Sequence, residues 1–203
     1  MTRRASSALL GIPPFLLGVS LAASSELAAG LLLYTGEGMI RALSVILSIL
    51  LASLGIGIWS GMQEEGPVVP ILRKRWLFVF LAYVLAAVYA AGWGFLGEGE
   101  ARGLSQGLGL AVLGALPVYA GGSLLAVMSR EARNRTGRGA APFALAALGG
   151  GAGSLLVGLF AGSRIIPPSF LLLCLVLLSG GSFVEALGLA RLGPAPVEEG
   201  DPL

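Results

Sequence analysis

The sequence predicts an all-α membrane protein, a bundle of six transmembrane helices with both termini on the cytoplasmic side. Three observations carry this. Six apolar stretches, beginning near Pro13, Met39, Trp76, Leu104, Ala140 and Pro168, fill a chain of 203 residues. The composition is 56% hydrophobic and 12% charged, with mean hydropathy +0.88. A water-soluble domain of this size cannot hide that much apolar surface, whereas a bundle in lipid need not. The 13 Lys and Arg residues, finally, gather at alternate ends of the stretches.

The spans are read at 13–34, 39–61, 76–97, 104–128, 140–162 and 168–190, as one domain over 1–191. At ~1.5 Å rise per residue each is long enough for a hydrocarbon core of ~30 Å. Helix one follows Met1-Thr-Arg-Arg4 and opens on Pro13-Pro14, where a missing N–H costs little. Its apolar run is too long for a signal peptide, so it is read as a retained span. Helix two ends in Gly57-Ile-Trp-Ser-Gly61, two small residues four apart on one face. The run Arg73-Lys74-Arg75 is placed in the loop before helix three, with Trp59 and Trp76 flanking it at the inner interface and Tyr34 and Trp93 near the outer one. Helix four carries Pro117, which frees one backbone carbonyl, and Tyr119; a basic loop with Arg130, Arg133, Arg135 and Arg138 follows. Helix five holds two further spacings of small residues, Gly149 with Gly153 and Gly158 with Gly162, and is expected to be a packing helix. Helix six opens on Pro167-Pro168 and ends before Arg191; residues 192–203 form a mobile cytoplasmic tail.

Orientation follows from the basic residues. Arg3, Arg4, Arg73, Lys74, Arg75, Arg130, Arg133, Arg135, Arg138 and Arg191 fall at one set of ends, against Arg41, Arg102 and Arg164 at the other. The positive-inside rule places the first set, and both termini, in the cytoplasm.

Read in order, the segments resemble the membrane domain of bacterial spermidine-synthase-like proteins, itself like one half of a major facilitator transporter. Ser20-Leu-Ala-Ala-Ser-Ser-Glu26 fills the place of that family's small-residue run and Glu in helix one. Leu54-Gly-Ile-Gly-Ile-Trp-Ser-Gly61 matches the Gly-x-Gly end of helix two. The segment from Leu116-Pro-Val-Tyr-Ala-Gly-Gly through Arg130 matches helix four, and Ala147 to Gly158 the Gly-rich helix five. The resemblance implies a half major-facilitator-like module in the bacterial inner membrane. The family's Trp and Arg after the Glu are Ala29 and Leu31 here, and its helix-five asparagine is absent. No aminopropyl-transfer domain follows helix six before Leu203, so polyamine synthesis is not expected.

Composition narrows the chemistry further. A sequence without histidine has no imidazole base and few of the usual transition-metal ligands. Cys174 is the single cysteine and reads as a small buried hydrophobe. Gly149-Gly-Gly-Ala-Gly153 imitates a nucleotide-binding loop but follows no strand and lies inside a span, so no cofactor is expected. A net charge of +2 gives no case for nucleic acid.

Two carboxylates fall within the spans, Glu26 in helix one and Glu185 in helix six. Intramembrane carboxylates are costly, and they face a bundle interior, a partner or water. With Tyr119 they are the candidate ligand or proton sites. The non-functional reading of Glu26 is a carboxyl bonded to Ser24, Ser25 or another helix; that of Glu185 is a contact with the basic loops. Three functions remain open: a small carrier of a solute or cation acting as a homodimer, a non-catalytic accessory subunit of a larger membrane complex, and, with least machinery, a membrane enzyme. The partners expected are the lipid bilayer and either a second copy or that complex.

Overall fold

The computed structural model describes residues 11–33, 39–92, 108–160 and 167–192, with side chains over 11–29, 44–92, 108–159 and 172–191. Its elements are α1 (Ile12–Leu33), α2 (Met39–Met62), α3 (Val68–Gly92), a π-helical segment (Leu110–Ala115) leading into α4 (Leu116–Thr136), α5 (Ala141–Phe160) and α6 (Pro167–Leu192). No strand occurs among the described residues. Among the described residues six helices are long and apolar enough to cross a membrane, so the protein is a multi-pass membrane protein in contact with the bilayer.

Burial locates the centre of the bundle. Of the span residues, 67% are buried in the helix built on α4 and 56% in α1, against 17% to 33% in the other four. Those two helices therefore form the core, and the rest present apolar side chains such as Leu47, Leu81, Leu159 and Val176 to lipid. In lipid there is no hydrophobic force between helices, so contact must come from close backbone approach and polar pairs. The glycines supply the first.

On the α1–α5 seam, a Cβ at Gly149 would overlap the Phe15 carbonyl, one at Gly153 would lie 2.5 Å from the Val19 oxygen, and one at Gly18 would overlap the Ala146 carbonyl. On the α4–α2 seam the same three contacts recur. A Cβ at Gly57 would overlap the Tyr119 carbonyl, one at Gly61 the Ser123 carbonyl, and one at Gly122 would lie 2.8 Å from the Leu54 oxygen. The shift from α1 to α4 is constant at 104 residues (15 to 119, 18 to 122, 19 to 123), and from α2 to α5 it is 92 (57 to 149, 61 to 153, 54 to 146). The chain is an internal repeat, α1–α3 onto α4–α6.

Helix directions make the repeat an inverted one. In both seams residue numbers rise together, so α1 runs parallel to α5 and α2 to α4. Across the centre they run oppositely: Leu21 of α1 covers Gly121, whereas Ala28 covers Gly114. The remaining neighbours obey the same exchange, because α1 packs on α6 as α4 packs on α3, and α3 and α6 pack on each other. Both halves thus use the same faces with opposite vertical sense.

Three expectations are corrected. Helix three begins at Val68, not at Trp76, so Arg73, Lys74 and Arg75 lie within it. Arg130, Arg133 and Arg135 likewise belong to the last turns of α4, which Gly137 terminates in the left-handed region with φ 72° while donating its N–H to the Arg133 carbonyl. Long cationic side chains extend helices past the hydrocarbon because their heads reach water or a carboxylate. A Cβ at Gly158 would meet nothing within 4 Å, so among the described residues this glycine meets no other helix of the chain, and on helix five Gly149 and Gly153 make the close approach. Gly162, Tyr34, Trp93, Arg3, Arg4, Arg102, Arg164 and the tail after Leu192 lie outside the described residues, as does the side chain of Arg41.

The seams yield a prediction with an internal control. Gly153→Leu and Gly57→Leu each drive a side chain into a carbonyl of the next helix, at a cost of about 1–3 kcal/mol or more by overpacking. Gly158→Leu meets open space. Thermal unfolding in mild detergent is expected to fall for the first two and stay at the parental value for the third.

Candidate functional site

Pro117 cannot donate a backbone hydrogen bond and its ring crowds the preceding turn. The chain answers with the π-helical segment Leu110–Ala115, and the Leu116 N–H reaches back to the Ala111 carbonyl. Such π turns widen a helix and re-aim the side chains after it. Tyr119, two residues past the proline, is turned toward α2 and α3. Its hydroxyl donates to Ser60 Oγ at 3.2 Å, and its ring meets Phe78 edge-on with centroids 6.0 Å apart. Beside it, Ser53, Ile56, Ala111, Val112, Ala115 and Leu116 complete an apolar groove of about 380 Å³, open along one side.

From Ser60 a polar chain runs to the end of the bundle where α2 meets α3. Arg75 is buried, donates from Nη2 to Ser60 Oγ at 3.3 Å, and grips Glu64 through Nε at 3.1 Å and Nη2 at 2.9 Å. Lys74 adds a weaker contact to Glu64 at 3.5 Å. Arg130 of α4 donates to the backbone carbonyls of Glu64 and Gly66, tying the α2–α3 turn to α4. Gly66 sits there at φ 120°, a conformation that side chains rarely adopt. Burial opposes ionisation of Glu64, but its hydrogen bond and charge contact with Arg75, then Lys74, outweigh that and hold its carboxyl below the ordinary value.

Glu26 lies on a different face. It is partly buried in α1, one turn beyond Ala22, whose Cβ would be 4.0 Å from a Cβ at Gly150 of α5. Neither expected serine bonds it. Ser25 Oγ donates to the Leu21 carbonyl at 2.8 Å; Ser24 Oγ does so at 3.0 Å and shares a 3.3 Å contact with the Tyr83 hydroxyl. Among the described residues Glu26 has no hydrogen-bond or ion-pair partner.

Glu185 is buried near the end of α6, at 6% exposure, and accepts a hydrogen bond from Trp76 Nε1 of α3. Trp76 therefore points into the bundle and is not an interfacial anchor, whereas Trp59 is 63% exposed and faces outward as expected. The structure does not bring the three candidates together: Glu26 is on α1, Tyr119 lies between α2, α3 and α4, and Glu185 lies between α3 and α6. Sequence reasoning misses Glu64, Glu131 and Trp76; the Trp76–Glu185 pair spans 109 residues, beyond any local pattern. Among the described residues no group of three or more His, Cys, Asp or Glu side chains can hold a metal ion. Comparison of the chain with protein-family models, curated proteins and solved structures gives no match.

The Glu64 cluster sets a pH dependence. A carboxyl whose folded pKa lies below its unfolded value adds stability above the unfolded value, and loses it as pH falls through the folded one. The thermal midpoint in detergent is therefore expected to drop below about pH 4.3, the ordinary glutamate value. Glu64→Gln should start lower at neutral pH and lose part of that acid limb; an unchanged acid profile would remove Glu64 from this role.

Proposed function

We propose that the protein is a small carrier of a solute or cation, a half-transporter-like unit working as a homodimer in the bacterial inner membrane with both termini cytoplasmic. The observation that carries this reading is the inverted repeat. Many secondary transporters are built from two repeats of opposite vertical sense, with binding residues on helices at the repeat interface. Here α1 and α4 fill that place, and α1 holds Glu26, a half-buried carboxyl without a partner among the described residues. Fold analogy alone is a weak warrant for function, and Glu26 adds a side chain that a proton or cation would use. The groove beside Tyr119 is open on one side, and a second copy would be needed to enclose a path. The cytoplasmic assignment of the basic ends rests on the ten-to-three division of Lys and Arg.

One observation favours the accessory-subunit reading. Ala144, Ala147 and Gly151 form a stripe of small exposed residues on α5, and a Cβ at Gly151 would meet nothing within 4 Å. Such a face suits a neighbouring helix as well as lipid.

Glu26→Gln separates the two. Proton flux into proteoliposomes with a trapped pH dye, with monovalent cations offered in turn outside, is expected to fall at least tenfold in Glu26→Gln at parental insertion yield. Parental flux in both Glu26→Gln and Glu26→Leu would remove the main support for a carrier. Cysteines replacing Gly36 and Thr136, in a background lacking Cys174, are expected to label from opposite sides of the membrane. Labelling from one side would end the six-span topology.

A further inference from the structure

Two buried carboxylates lie at the end of the bundle where α3 starts and where α4 and α6 finish. Glu131 of α4 is 5% exposed and paired with Arg135 one turn on, itself buried at 8% of its side chain. Glu185 of α6 is 6% exposed and lies at the same end of the bundle. The pair Glu131–Arg135 is neutral, so the second carboxylate is left over. Among the described residues Glu185 has no ion-pair partner, and its one hydrogen-bond donor is the uncharged Trp76 indole.

The other elements around Glu185 supply no compensating charge. On α3, Arg75 adjoins Trp76 but is committed to Glu64 and Ser60. On α1, Pro13 and Leu16 are the residues that meet Gly181, one turn before Glu185. On α6 itself Arg191 is exposed in the last turn and Cys174 lies three turns back. A carboxylate so placed is expensive when ionised and unpaired. A metal cation would need several oxygen ligands, and the indole N–H occupies one of the two here.

We propose that Glu185, buried at the α3–α6 contact and held by the Trp76 indole, is a proton-binding site that ties that contact to pH. The proton comes from the adjoining aqueous phase and adds to the carboxylate oxygen not engaged by Trp76, giving a neutral acid; its loss restores the carboxylate and strengthens the indole hydrogen bond. The site adds a proton step to the carrier reading, at a place remote from Glu26.

Trp76 reports on the site directly. With Trp59 and Trp93 replaced by Phe, its emission in lipid nanodiscs is read against pH between about 4 and 9, a range that spans free and buried carboxylates. Emission is expected to follow one titration step and to become flat in Glu185→Gln. Glu131→Gln removes a like charge at the same end of the bundle, so the midpoint should fall. Glu26→Gln should leave it in place. Emission that is flat in the parent, a step that persists in Glu185→Gln, or a midpoint unmoved by Glu131→Gln overturns the proposal. The Glu131→Gln arm keeps the test decisive where Glu185→Gln does not fold. No gradient or transported solute enters the measurement, so its failure leaves the carrier reading standing, and a silent flux assay leaves this site standing.

Discussion

Close approach of helix backbones at glycine is the constraint on which the rest of this bundle depends. Lipid tails are as apolar as leucine, so six apolar helices gain little by hiding side chains from them. What they gain is contact across surfaces without Cβ atoms. Gly149, Gly153 and Gly18 let α1 and α5 touch carbonyl to helix, and Gly57, Gly61 and Gly122 do the same for α4 and α2. The two seams flank the central pair α1 and α4 and hold α2 and α5 at fixed registers. α3 and α6 then close the remaining side, joined to each other by Trp76 and Glu185, while Ser24 of α1 contacts Tyr83 of α3.

The repeat also explains where the halves differ. Pro13 and Pro117 occupy equivalent places, yet Pro13 is in the first turn of its helix, where its missing N–H is free of cost. Pro117 has a helical segment before it and needs a π turn instead. Glu26 and Arg130 are equivalent as well. Both lie in the last two turns of their helices, yet one is a partly buried carboxyl without a partner among the described residues, and the other ties down the α2–α3 turn. A duplicated frame has thus been given opposite charges at matched positions.

Much of this was legible in the sequence, and the parts that were not share a cause. Length and hydropathy fix six helices, and the seam glycines Gly57, Gly61, Gly149 and Gly153 follow from their spacing. Hydropathy alone places helix three too late, because Arg73 to Arg75 look like loop until Arg75 is seen to reach Glu64. Spacing alone includes Gly158, since a helix has the same period on its packed and its lipid face. The repeat itself is written in the chain: Pro13-x-Phe15-x-x-Gly18-x-x-Leu21-Ala22-x-x-Ser25 against Pro117-x-Tyr119-x-x-Gly122-x-x-Leu125-Ala126-x-x-Ser129. It is readable only when helix one is aligned with helix four, which the contacts motivate. Of the candidate residues, the sequence singles out Glu26 and Glu185 by cost, but their surroundings lie on other helices and no local pattern names them.

The central claim is that two equivalent glycine seams build the bundle, and disulfide trapping in native membranes tests it most directly. In a background without Cys174, cysteines at Ala22 and Gly150 lie within disulfide reach, since their Cβ positions are 4.0 Å apart. The repeat carries that pair onto Ala126 and Ile58. Both pairs are expected to form the intramolecular crosslink on mild oxidation. Crosslinking of Ala22 with Gly150 but not of Ala126 with Ile58, or of neither, would contradict the account.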